Sequence, residues 1–512
     1  MEMTLTLTQM LGQKLEYGFH GTRLTEEFKS LIRQYKIGNV ILFRRNVESA
    51  PQLRRLCGEI REYILQETGI PPFIIIDEEG GMVSRLPGDA VNVPGAMAVA
   101  ATGDPENARR ASEITIRQLR GLGPNFNMAP VLDVNSNPNN PVIGVRSYGD
   151  RVEQVSAFGC AALAPYQDSG VYCCIKHFPG HGDTAVDSHL GIPRVDKTEE
   201  ELEQLELIPF RRAIEAGAPA VMMSHVLFPN IRGEKVPCTM SRYMVTELLR
   251  NKLGFRGLIF TDCMEMLAIQ DHYGTPAGVV AAIQAGVDIA EISATFQLEL
   301  EAAQALQEAA QRGELDLEEI RQSAERILEY KCRLFSQPEA ALCNRPEDRE
   351  TVFSISRRAV SQLGGVPFRA DGDTFFCGCA DYRVSGAANE QGGHCPFPEF
   401  MAGIFGGKCL VTAKEPSEEE IRTAAELAGQ CGKIVLGTCN AHLFQSQLRL
   451  AGALAALGKP MAVVALRNPY DLASLPETLW KLASYDYEEP ALRAVAEVLS
   501  GGMARGICPV KL

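Results

Sequence analysis

No apolar run in this 512-residue chain is long enough to span a bilayer as a helix. Positive charge is also in deficit. Fifty Lys and Arg against 64 Asp and Glu leave a net charge of −14, and a broadly acidic surface attracts neither nucleic-acid phosphates nor anionic membranes. The 15 cysteines include no CxxC pair of zinc-ribbon type, which predicts buried thiols in a reducing compartment. Phosphate-loop and dinucleotide-binding fingerprints are missing, so no nucleotide cofactor is implied. No low-complexity tract interrupts the chain. With 46% hydrophobic and 22% charged residues it has the composition of a folded globular protein. The N-terminal segment, with Glu2 and no basic region, carries no recognisable signal peptide or lipid-attachment motif, and a cytoplasmic location is expected.

Histidine is scarce, with eight in the whole chain, yet three of them fall within Lys176-His177-Phe178-Pro179-Gly180-His181-Gly182-Asp183-Thr184-Ala185-Val186-Asp187-Ser188-His189. Two more are His225 and His272. Such a concentration of imidazoles, with two aspartates and a lysine, suits proton transfer near neutral pH better than it suits packing. The segment follows the apolar run Val171 to Ile175, so these polar groups gather where a strand is expected to end.

Through residue 335 the sequence alternates short apolar runs with amphipathic helical patterns, as βα units on a parallel sheet do. Strands are expected at Ile37 to Phe43, Phe73 to Ile76, Phe126 to Leu132, Val171 to Ile175, Ala220 to Met223, Leu258 to Thr261 and Val287 to Ile292. Their continuous apolar character fits strands covered on both faces. Asp77, Asp133, His177, His225 and Asp262 each follow one of these runs. In a (β/α)8 barrel of TIM type such positions converge on one mouth, although a doubly wound sheet would also gather ligands at its strand ends. The expected organisation is a barrel over 1–335, a polar, proline-containing linker over 336–350, and a smaller C-terminal α/β sandwich domain over 351–512, with strands at Thr374 to Cys377, Lys433 to Gly437 and Met461 to Leu466.

The residues of the first part could divide covalent and proton-transfer work. A strand-end carboxylate, Asp262, can attack an anomeric carbon. An imidazole with a neighbouring carboxylate, His189 with Asp187, can protonate the leaving oxygen and then activate water. Histidines and aspartates at the top of a barrel also suit divalent metals, and spacing alone leaves that alternative open.

Several separated motifs make the chain resemble glycoside hydrolase family 3, in its bacterial β-N-acetylglucosaminidase branch. They are Ile76-Asp77-Glu78-Glu79-Gly80-Gly81 with Arg85, Ala129-Pro130-Val131-Leu132-Asp133-Val134, Arg146-Ser147-Tyr148-Gly149, Lys176 to Gly182, Asp187-Ser188-His189, Ser224-His225-Val226 and Phe260-Thr261-Asp262. The resemblance implies a retaining exo-enzyme that removes terminal β-linked GlcNAc, in muropeptide-derived or other small carbohydrate substrates, without a metal or organic cofactor. It further implies that Asp262 is the nucleophile and His189 the general acid/base, oriented by Asp187. Asp77, Arg85, Arg146, Lys176 and His177 match positions that hold the sugar's hydroxyl and N-acetyl groups. Two departures stand out: Glu78 occupies a position where many relatives carry glutamine, and Cys263 one where many carry a second acid. A phosphorylase that resolves the same intermediate with phosphate, and a non-catalytic sugar-binding protein, are the rival expectations. Glu78, Glu79 and Glu265 are expected to be solvated or structural, and Asp133 to organise its loop.

Overall fold

The computed structural model describes residues 5–185, 191–335, 345–382 and 395–512. Among the described residues, nine short strands occupy the first part of the chain: β1 (Leu15–Tyr17), β2 (Asn39–Leu42), β3 (Phe73–Ile76), β4 (Phe126–Asn127), β5 (Tyr172–Cys173), β6 (Ile175–Phe178), β7 (Ala220–Met223), β8 (Leu258–Thr261) and β9 (Ala290–Ile292). They form a six-stranded sheet in the order β5-β4-β3-β2-β1-β9 and a three-stranded sheet β6-β7-β8, with every pairing parallel. The architecture is therefore α/β with parallel sheets; among the described residues these pairings define two sheets and do not by themselves close the barrel expected from the sequence.

Local sequence explains the alternation. The helix Ala50–Thr68 begins where the Ser49 side chain accepts from the Gln52 N–H, has Pro51 in its first turn, and ends on Gly69 at φ 73°. Strand residues then divide by parity. Ile74 and Ile76 pack outward with Val40, Leu42, Val221 and Ile259 under the helices. Phe73 and Ile75 face the other way, joining Ile41, Phe126, Met222, Phe260 and Ile289. In that inner cluster the Phe126 ring lies 5.1 Å from both Phe73 and Phe260, so it joins β3 and β4 to β8 across the space between the sheets. Ile327 of the helix Leu317–Phe335 closes the same cluster. Truncating a ring so placed costs about 3–5 kcal/mol.

Beyond residue 345 the strands are β10 (Ser361–Gly364), β11 (Thr374–Cys379), β12 (Lys408–Thr412), β13 (Lys433–Thr438), β14 (Met461–Ala465) and β15 (Trp480–Ala483), in the order β10-β15-β14-β13-β11-β12. Only the β10–β15 pairing among them is antiparallel. Of the expected linker, 336–344 lies outside the described residues, while 346–350 opens the helix Pro346–Ala359. The core of this sheet does not stop at its own elements: Met82, Val83, Met97 and Val145 from the first part belong to it.

Candidate active site

Three strand ends bring the site together. Asp77 follows β3, Lys176 and His177 lie within β6, and Asp262 follows β8. Lys176 and His177 were expected in a loop after a strand ending at Ile175. Pairing of Ile175 with Val221 and of Phe178 with Met223 instead carries the strand through them, and the Lys176–His177 and Phe178–Pro179 bonds are cis.

Glu79 is the hub. Its carboxylate receives Arg146 through Nε at 2.9 Å and Nη2 at 2.7 Å, and Lys176 Nζ at 2.7 Å. Lys176 Nζ also donates to Asp77 Oδ1 at 2.7 Å. The side chains of Glu79, Arg146 and Lys176 are each no more than 7% exposed, and that of Asp77, at 17%, is the most exposed of the four. Burial alone would raise the Glu79 carboxyl, but the Arg146 and Lys176 charges outweigh it and hold it far below the usual range. Lys176 behaves conversely: burial would lower its ammonium, and Asp77 with Glu79 raises it. Glu79 was expected to be solvated or structural: it is not solvated, and its two buried ion pairs give it the structural part. Three consecutive acids at a strand end carry no local mark that singles out Glu79, whose partner Arg146 lies 67 residues along the chain.

A second buried carboxylate orders the histidines. Asp133 accepts from His177 Nδ1 at 2.7 Å and from the His181 main-chain N–H at 2.6 Å. Its burial would raise it, and the His177 charge and hydrogen bond outweigh that effect and lower it. With Nδ1 turned to Asp133, His177 Nε2 lies 3.3 Å from Arg146 Nη2, joining the two halves of the network. His181 is pushed down to about 4 by burial and by His177, so its ring is neutral near pH 7. Arg85 stands one step back: its N–H donates to Glu78 Oε2 at 2.8 Å, and Ser84 Oγ donates to the same oxygen at 3.0 Å. Burial raises Glu78 to about 7 against those two bonds.

Asp262 is partly open. Its N–H donates to the Met223 carbonyl at 3.1 Å, and its Oδ1 accepts from the Cys263 N–H at 2.8 Å. His225 Nε2 donates to the Cys263 carbonyl at 2.9 Å, which assigns His225 to the turn that carries Asp262. Glu265 accepts from the Ala294 and Thr295 N–H groups at 2.9 Å, a structural part as expected. Asp187 and His189 lie outside the described residues. The arrangement thus offers a partly open carboxylate beside a dense, buried set of charged donors and acceptors, suited to a neutral ligand rich in hydroxyl groups.

A rim from the last third of the chain completes this side of the molecule. Asn135 Nδ2 donates to Tyr470 Oη at 2.9 Å, His442 Nε2 donates to the Pro138 carbonyl at 3.1 Å, and Arg467 Nη2 reaches Met82 Sδ at 3.1 Å. These contacts involve residues flanking the site motifs and were not anticipated from sequence.

The glycosyl hydrolase family 3 N-terminal domain matches residues 5–330. Beta-hexosaminidase A of Pseudoalteromonas piscicida is 35% identical over 416 residues, covering 72% of this chain and 69% of that protein. A beta-hexosaminidase of Alkalilimnicola ehrlichii is 37% identical over 287 residues, covering 55% and 80%. Among solved structures, a glycoside hydrolase family 3 beta-N-acetylglucosaminidase from Paenibacillus sp. str. FPU-7 superposes with a TM-score of 0.93 at 36% identity, over 99% of both chains.

Proposed function

The chain belongs to glycosyl hydrolase family 3, and on that premise we propose that it is a retaining exo-β-N-acetylglucosaminidase. It is a glycoside hydrolase acting on terminal N-acetylhexosamine, as its relatives' names describe. The observation that carries the finer reading is the Asp77–Lys176–Glu79–Arg146–His177 network beside Asp262. Lys176, Arg146, His177, Asp77 and Arg85 are assigned to the terminal sugar. The Asp262 carboxylate attacks the anomeric carbon, forming a glycosyl ester as the glycosidic C–O bond breaks, and the leaving oxygen takes a proton from His189, oriented by Asp187. Water, losing a proton to His189, then attacks the same carbon and releases Asp262.

The same reading takes the strands of the first part as one (β/α)8 ring. It is supported by the single residue separating β5 from β6, and by the parallel bridge from Phe260 in β8 to Ile289 beside β9. The division into 1–335, a linker at 336–350 and 351–512 belongs to it too. Peptidoglycan-derived fragments are the proposed substrates and the cytoplasm the proposed location. In support, every described cysteine is free, and among the described residues no helix is long and apolar enough to cross a membrane.

Hydrolysis of nitrophenyl β-GlcNAc, compared with the β-glucoside, and with and without phosphate, tests the activity. Release of GlcNAc with retained configuration, independent of phosphate, is expected. GlcNAc 1-phosphate as the main product would make the protein a phosphorylase, and no turnover would leave a sugar-binding protein.

A further inference from the structure

Beneath the site, two glutamates stand side by side with no place in the mechanism above. Glu16 of β1 and Glu291 of β9 are register partners on adjacent parallel strands, so their side chains leave the same face of the sheet. Glu16 is 0% exposed and Glu291 4%. Neither carboxyl oxygen of Glu16 has a hydrogen-bond partner among the described residues. The groups that face the pair are Asp77 after β3, Lys176 and Cys174 from the β5–β6 stretch, Asp262 and Cys263 after β8, and Arg45 after β2. The two nearby cations are engaged elsewhere. Lys176 pairs with Asp77 and Glu79, and Arg45 donates to the carbonyls of Phe19 and Ser293. Ionising Glu16 and Glu291 would therefore add two charges to a dry layer in which the described residues supply no spare cation. Burial, with Asp77, keeps Glu16 well above the usual glutamate range, and burial, with Glu16, Asp77 and Asp262, does the same for Glu291.

Glu291 is also tied to the turn that carries Asp262. Its N–H donates to Thr261 Oγ1 at 2.9 Å and its carbonyl accepts from the Met264 N–H at 2.9 Å, one bond on each side of Asp262. A nucleophilic carboxylate must be ionised, and neutral neighbours let it remain so. Anionic neighbours would instead repel it across a dry layer and strain the turn that carries it. We propose that Glu16 and Glu291 are positioning residues, a pair of neutral carboxylic acids that keeps the turn carrying Asp262 in place, and whose ionisation at alkaline pH repels Asp262, displaces that turn and so shuts the site down. The proposal rests on the reading of Asp262 as nucleophile.

Two measurements test it, one independent of turnover. In infrared difference spectra of the full-length protein near neutral pH, wild type minus Glu16→Gln/Glu291→Gln should show protonated-carboxyl stretches that disappear on alkaline titration. Carboxylate bands in that difference would overturn the proposal, whatever the activity. The second is kcat/KM on an aryl β-GlcNAc whose phenol leaves without acid assistance, which removes His189 from the profile. Wild type should decline at alkaline pH, and each Gln variant should move that decline up by at least about one pH unit, a tenfold gain at a fixed pH above it. The single variants provide this comparison where the double one does not fold. A wild-type profile flat through about pH 10, or a decline unmoved in folded Gln variants, would overturn the pair's role. Failure of wild type to turn over the substrate at all would strike the hydrolase reading and the positioning role with it, and the infrared difference would still decide whether the pair is neutral.

Discussion

Arg146 grips Glu79 at two points, through Nε and Nη2, and the same carboxylate takes Lys176 Nζ at 2.7 Å. One anion thus fixes two cations that converge on the site, in geometry that a lysine in place of Arg146 could not reproduce. Glu79→Ala would leave both cations buried and underpaired, so it should cost about 3–5 kcal/mol of stability and nearly all activity. Arg146→Lys should fold better than Glu79→Ala yet raise KM. Chemical denaturation and steady-state kinetics on the two variants check both outcomes.

Asp262→Ala should lower kcat by ~10⁴-fold or more while unfolding at nearly the wild-type midpoint. The side chain is partly open and empties no core position. Trapping with a slow-release 2-fluoro sugar, followed by peptide mapping, should place the adduct on Asp262. An adduct elsewhere would contradict the assignment.

His189→Ala should slow a natural β-linked disaccharide far more than a nitrophenyl glycoside, by ~10²-fold or more in the ratio, because only the sugar alcohol needs a proton as it leaves. Asp187→Ala should show a weaker form of the same pattern. Equal losses on both substrates would make His189 a binding residue.

Glu299 supplies a pH prediction away from the site. Burial raises its carboxyl to about 9, although it accepts from the Gly18 N–H at 3.1 Å. Between the usual value of 4.5 and about 9 the unfolded chain releases a proton that the folded chain keeps. Stability from this group is therefore full below pH 4.5 and declines as pH rises to about 9. Glu299→Gln should flatten that part of the melting-temperature profile, as scanning calorimetry across pH would register.

Strand ends were legible because buried parallel strands leave continuous apolar runs, and β3, β7 and β8 fall where those runs do. β1 was not, since Lys14-Leu15-Glu16-Tyr17 alternates charge with hydrophobicity although all four are buried. The expected strand from Phe126 to Leu132 shrinks to two residues, with a cis bond at Ala129–Pro130 soon after it. β12 escaped notice as an edge strand whose first two residues are exposed. At the site, Asp77, Arg146, Lys176 and His177 do assemble, while the roles of Glu79 and Asp133 depend on partners about 67 and 44 residues away, a relation that no local pattern records.

The way the last third of the chain seats on the site side bears on how the protein is made. Gly144 approaches Asn468 so closely that a Cβ there would lie 2.5 Å from its Oδ1, and Met82, Val83 and Val145 are buried in a core whose strands begin only at Ser361. During synthesis, the first 330 residues leave the ribosome with that apolar face uncovered, and the turn holding Arg146 gains its supporting wall only once residues near 468 have emerged. A protein cut after residue 335 would emerge with that apolar face bare, a sticky client for chaperones.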